Sequence, residues 1–213
     1  MKIVLVVAAL LASGVFYFWG SDLQFLAGGA LVNLGYRMQD HLADYDFQHH
    51  EATAPEVWEE FLKQNRLASG VRSIFPRSSR HPVIALVACM DARMDTNEIA
   101  GDTRRYYYVL RLAGSALSVK EEEMLELAVA NGVKVIVFTT HTDCAAEKVA
   151  ADPNQRRKYP SLSQAVDERA KYFNEFLRRP AIRTEIAQGK LLVKWMDLDT
   201  RTEEVIPHDQ ANR

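Results

Sequence analysis

The stretch VIALVACMDARMD, residues 83–95, is an apolar run that ends in a cysteine, a carboxylate and an arginine at alternate positions: Cys89, Asp91 and Arg93. Residues 83–88 are apolar on both faces, as in a parallel strand covered by helices on either side. Alternate side chains of an extended segment point the same way. The thiol, the acid and the guanidinium therefore share one side of the chain where the strand ends. Two readings fit this: a strand tip carrying a salt bridge and a stray thiol, or one wall of a metal site.

Outward from this strand, helical and extended patterns alternate. Upstream, Thr53 and Glu56 have capping-box spacing and Pro55 lies in the first turn, which predicts a helix over 53–66. Downstream, RYYYVLRLAG (105–114) reads as a second strand. Ser118 and Glu121 then open a helix that Asn131-Gly132 closes, and VKVIVFTT (133–140) is a third buried strand. One long amphipathic helix is predicted over 162–179, with Leu162, Ala165, Val166, Phe173, Phe176 and Leu177 on a single face. Residues 190–208 read as a strand, a polar turn and a short return strand. Strands alternating with helices predict an α/β fold with a mostly parallel central sheet flanked by helices.

The amino-terminal part differs in character. Residues 1–36 contain only Lys2 and Asp22 as charges, and 3–19 is an uncharged apolar run without proline. That length is at the lower edge for a bilayer span. The expectation is a transmembrane helix within an anchor over 1–22, followed by a linker or interfacial segment over 23–52 and a domain over 53–213. A signal peptide and a buried helix are the alternatives for 3–19. With Lys2 as the basic flank, the positive-inside bias places the domain in an extracytoplasmic, periplasmic location.

Composition bounds the rest. The chain of 213 residues is 48% hydrophobic and 25% charged, with a net charge of −2, which describes a globular core and gives no electrostatic basis for binding nucleic acid. The two cysteines, Cys89 and Cys144, each follow a buried strand, and Cys144 closes the sequence HTDC (141–144). His141 and Cys144 are three apart, so a helical turn would place them on one face. Sites in open α/β sheets form at the carboxyl ends of the strands. Cys89, His141 and Cys144 are thus a candidate Cys₂His zinc set with one tetrahedral position open. A disulfide and two inert buried thiols are the competing readings.

CMDAR (89–93), RLAG (111–114) and HTDC (141–144), in this order, resemble the beta-class carbonic anhydrases, and residues 189–205 resemble that family's closing strands. The resemblance covers residues ~55 to 208. Leu112 stands where the family usually has asparagine, Ser115 where asparagine is common, and Thr140 and Ala145 where glycine is usual. The resemblance implies a zinc enzyme that interconverts carbon dioxide and bicarbonate. It also implies metal ligands at Cys89, His141 and Cys144, and a catalytic pair at Asp91 and Arg93. Hydrolysis of carbonyl sulfide or carbon disulfide on the same site is an alternative. A catalytically weak zinc-binding accessory subunit of a membrane complex is another. The family's intimate dimers imply a homodimer or higher even oligomer, with the apolar face of 53–66 (Trp58, Phe61, Leu62) available to a partner. No histidine is assigned as a proton shuttle; His41, His49, His50, His81 and His208 all remain.

Overall fold

The computed structural model describes residues 2–39, 53–76 and 80–208, with side chains from residue 20 onward. The chain divides into two compact units, residues 1–77 and 78–213.

The first unit holds two helices, α1 (Lys2–Gln39) and α2 (Ala54–Ile74). The Thr53 N–H donates to Glu56 Oε2 at 2.7 Å, and a proline occupies the first turn, so α2 starts as its sequence requires. It then runs past residue 66, and none of its residues is buried. The membrane expectation needs correction. Its apolar run, 3–19, falls on residues whose side chains lie outside the described ones. Among the described residues no helix is long and apolar enough to cross a membrane. The described part of α1 is interrupted by Ser21, Asp22, Gln24 and Asn33, which bilayer hydrocarbon disfavours. A transmembrane anchor, and the extracytoplasmic placement that depended on it, are not supported. His41, His49, His50 and the rest of 40–52 lie outside the described residues.

The second unit is built on a five-stranded sheet of order β2-β1-β3-β4-β5, comprising β1 (Ile84–Cys89), β2 (Tyr107–Leu112), β3 (Val135–His141), β4 (Leu192–Leu198) and β5 (Val205–Pro207). Neighbours among the first four run parallel, and β5 returns antiparallel to β4, so the sheet is mixed but mostly parallel. Its helices are α3 (Thr96–Ala100), α4 (Thr103–Tyr106), α5 (Val119–Ala130), α6 (Ala145–Ala151), α7 (Pro153–Lys158), α8 (Pro160–Asp167), α9 (Arg169–Arg178) and α10 (Pro180–Ala187). Prolines in the first turns of α7, α8 and α10 suit these starts, because the ring sets a helical φ where no amide donor is needed.

β1 is buried on both sides, and its alternation feeds two separate cores. Ala85 and Val87 pack with Leu125, Ile136, Phe138 and Phe176 on one face of the sheet. Leu86, Ala88 and Cys89 pack with Met94, Cys144, Ala146 and Leu198 on the other. Two expected boundaries shift. The strand predicted from residue 105 begins at Tyr107, because Asp102 accepts the Arg104 N–H at 3.0 Å and caps the short helix α4 first. The single helix predicted over 162–179 breaks at Glu168 (φ −88°, ψ 0°) into α8 and α9. The break sends Leu162 and Val166 to one core and Phe173, Phe176 and Leu177 to the other. One apolar stripe thus serves two faces.

Candidate metal centre

β1 and β3 are adjacent parallel strands, so their carboxyl ends meet at one edge of the sheet. Cys89 ends β1, His141 ends β3, and Cys144 is the N-cap of α6. All three are buried, and their donor atoms lie within 4.8 Å of one another. His141 and Cys144 do not share a helical turn as the spacing predicted. They flank a strand-to-helix corner in which Asp143 takes the left-handed conformation, with φ of +62°.

The donor set fits a metal. The two Sγ atoms are 4.0 Å apart, and a tetrahedral ion holding two thiolates at about 2.3 Å would separate them by about 3.8 Å. Both cysteines are free thiols, so the disulfide reading is not realised here. His141 Nδ1 lies 3.0 Å from the Thr142 carbonyl, which can only accept, so the ring proton sits on Nδ1. That leaves the lone pair on Nε2, which is buried and has no hydrogen-bond partner. A buried orphan acceptor beside two thiols is the arrangement a thiophilic cation completes.

Charge is organised around the same point. The hydrogen bond with Cys144 pulls the Cys89 thiol well below the ordinary range, helped by His141 and by the Asp91 and Gly114 amides. Cys144 is pushed up correspondingly, by Cys89 and by burial. His141 is raised chiefly by its interaction with Cys89.

Two and four residues past Cys89, Asp91 and Arg93 form a forked pair. Arg93 Nε donates to Asp91 Oδ1 at 3.0 Å, Nη2 donates to Oδ2 at 2.8 Å, and the Arg93 amide adds a bond to Oδ1 at 3.0 Å. This guanidinium holds the Asp91 carboxyl well below the usual carboxylate range, so it is ionised at neutral pH.

Two further residues join the site without having been assigned to it from sequence. Arg93 also donates from Nη1 to Asp143 Oδ2 at 2.8 Å and from Nη2 to the Asp143 carbonyl at 2.9 Å. Arg111, at the end of β2, donates to the carbonyls of Cys89 and Asp91 at 3.2 and 2.5 Å and so holds the turn after β1. A sequence signal existed for both, since Asp143 lies within HTDC and Arg111 opens RLAG. The departures from the family pattern also acquire places. Thr140 donates to Asp197 and accepts the Trp195 indole N–H at 3.1 Å, tying β3 to β4 on the face away from His141. Leu112 packs against the first core, and Ser115 takes a positive φ of 54°. A cleft bounded by Ser115, Thr140, Arg169 and Trp195 contains neither the candidate ligands nor the Asp91–Arg93 pair.

A family described as carbonic anhydrase matches residues 84–201, more than half of the chain. The chain belongs to the carbonic anhydrase family, in its beta class. It is 36% identical over 93 residues to beta-carbonic anhydrase 1 of Mycobacterium tuberculosis and to that of Mycobacterium bovis, a match covering 41% of this chain and 55% of each relative. The match thus spans about half the length of those curated relatives. Among solved structures, a tetrameric beta-carbonic anhydrase of Sordaria macrospora shares the fold with a TM-score of 0.56 at 19% identity, over 71% of this chain and 96% of that one. The carbonic anhydrase of Streptococcus mutans does so with a TM-score of 0.54 at 18% identity, over 74% and 99%.

Proposed function

We propose that this chain is a zinc-dependent carbonic anhydrase that interconverts carbon dioxide and bicarbonate, with Cys89, His141 and Cys144 as metal ligands and Asp91 and Arg93 as the catalytic pair. The observation that carries the reading is the triad of buried donors within 4.8 Å, with an ionised carboxylate, Asp91, two residues beyond Cys89 and held by Arg93. Zinc bound there would supply Lewis-acid activation of water in a position the protein leaves open. Two thiolates and a neutral imidazole make the site formally neutral, so that activation is weaker than at a site of three histidines.

The chain's own residues do the positioning. Asp91 accepts a hydrogen bond from the attacking water and turns its lone pair towards the carbon of carbon dioxide. Arg93 keeps Asp91 ionised and holds both of its oxygens, so that neither is free to ligate the metal. Were the pair to part, Asp91 could take the open position and close the site. The reaction forms a carbon–oxygen bond and releases one proton to solvent.

Assembly follows from the exposed face of α2. Trp58 and Phe61 stack at 5.5 Å and are both 55% exposed, which suits a partner surface of matching character. A homodimer or higher even oligomer is therefore part of the proposal, consistent with the tetrameric state stated for the Sordaria enzyme.

The decisive experiment is stopped-flow carbon dioxide hydration by the purified, zinc-analysed chain. Hydration that scales with zinc content supports the reading. A chain carrying one zinc that hydrates no faster than buffer overturns it.

A further inference from the structure

Arg93 is gripped from two directions. Asp91 takes its Nε and one proton of Nη2, while Asp143 takes Nη1 through its carboxylate and the other Nη2 proton through its backbone carbonyl. Four of the five guanidinium N–H groups are committed in these contacts. The guanidinium is planar and rigid, so fixing its Nη edge on Asp143 also fixes the Nε edge that faces Asp91. Asp143 is itself steadied by an ion pair with Lys148, one turn into α6. Its left-handed φ of +62° aims its carbonyl at Arg93 while its neighbour Cys144 turns inward.

An exposed ion pair alone would be worth little, and Arg93 and Asp143 are both about half exposed. Geometry distinguishes this one. Asp143 lies between two candidate ligands, and Arg93 lies two residues past the carboxylate beside them. The contact therefore links the two turns that carry the site, and any pivot of Arg93 that releases Asp91 must also break its bonds to Asp143.

We infer that Asp143 is a positioning residue for the Asp91–Arg93 pair, holding Arg93 from the far side so that the Asp91 carboxylate stays off the open metal position. This rests on the metal reading given above. Without the Asp143 carboxylate, Arg93 gains freedom to pivot, and Asp91 spends part of its time in the position that an external ligand needs. Binding of an external anion then weakens by the fraction of sites left open.

The test uses the full chain loaded with cobalt(II) and titrated with azide, followed by cobalt absorption. Asp143→Gly removes the carboxylate but keeps the backbone carbonyl and favours the left-handed φ, so the corner itself is preserved. Asp143→Asn keeps an acceptor without the charge. If about one site in ten remains open in Asp143→Gly and about one in three in Asp143→Asn, the azide dissociation constant rises about tenfold and about threefold respectively, at unchanged cobalt content. An azide constant within about twofold of wild type in Asp143→Gly overturns the positioning role and leaves the metal reading standing. Should that variant fail to fold, an unchanged constant in Asp143→Asn overturns it instead. A wild-type chain without thiolate-to-cobalt absorption overturns both.

Discussion

The Sγ atoms of Cys89 and Cys144 lie 4.0 Å apart although 55 residues separate them in the chain. The crossover from β1 to β3, through β2 and α5, returns the chain to the same edge of the sheet, and the sulfurs meet there as strand ends. Two thiols at this spacing, with His141 Nε2 within 4.8 Å of them, form one candidate donor set for a cation. The first prediction concerns that unit. Cys144→Ser should lose its zinc on dialysis against a chelator under conditions in which wild type retains one per chain. Elemental analysis decides, and full zinc occupancy in the variant would remove Cys144 from the ligand set.

Metal loading should also release protons. Cys144 is held above the usual thiol range, first by its bond with Cys89 and then by burial, so in the metal-free chain it carries its proton at neutral pH. Coordination requires the thiolate. The metal-free state thus binds more protons than the loaded state, and apparent affinity tightens as pH rises, by about tenfold per pH unit for each proton released. Calorimetry of zinc binding at neutral pH in two buffers of different ionisation heat reads this directly. A heat independent of buffer would contradict it.

Arg93→Ala should retain zinc and lose hydration. The candidate ligands are untouched, but Asp91 loses the fork that keeps it ionised and holds both of its oxygens. The expected fall in kcat/KM is about tenfold or more, at unchanged metal content. Activity within about threefold of wild type would show that the pair does not act in the reaction.

Gly114 offers a test of packing read by stability and not by activity. Its φ is +60°, and a Cβ there would lie 2.9 Å from Val166 Cγ2 and 3.3 Å from Ala146 Cβ. Gly114→Ala therefore combines an unfavourable backbone region with overpacking, at a cost of about 1–3 kcal/mol. Denaturant unfolding should show it as a lower midpoint with unchanged slope. An unchanged midpoint would mean that α6 and α8 can yield at no cost.

For the assembly, light scattering of the purified chain should report an even multiple of its mass. Replacing both Trp58 and Phe61 by aspartate, on the exposed face of α2, should lower that mass by disfavouring the apolar contact. A wild-type monomer with full hydration activity would contradict the assembly.

Local chemistry made much of this molecule legible in one dimension. The capping boxes at Thr53–Glu56 and Ser118–Glu121 are satisfied within one turn of chain. The apolar strands at 84–89 and 135–141 need only a sheet buried on both faces. Parallel strands with thiols at their carboxyl ends were enough to bring Cys89, His141 and Cys144 together as candidates. Tertiary structure decided what depends on partners distant in sequence. The apolar stripe over 162–179 could not reveal that it breaks at Glu168, because both halves are apolar and only the presence of two cores distinguishes them. The spacing of His141 and Cys144 suggested a shared helical turn, but Asp143 adopts a left-handed corner, where Arg93 from another strand end binds its carbonyl and carboxylate. The apolar run at 3–19 invited a membrane reading because the length of an uncharged run does not register where a helix ends, and α1 continues to Gln39 through Asp22 and Asn33. Residue type and spacing limit which side chains can act together; distances between strand ends, set by the sheet, decide which of them do.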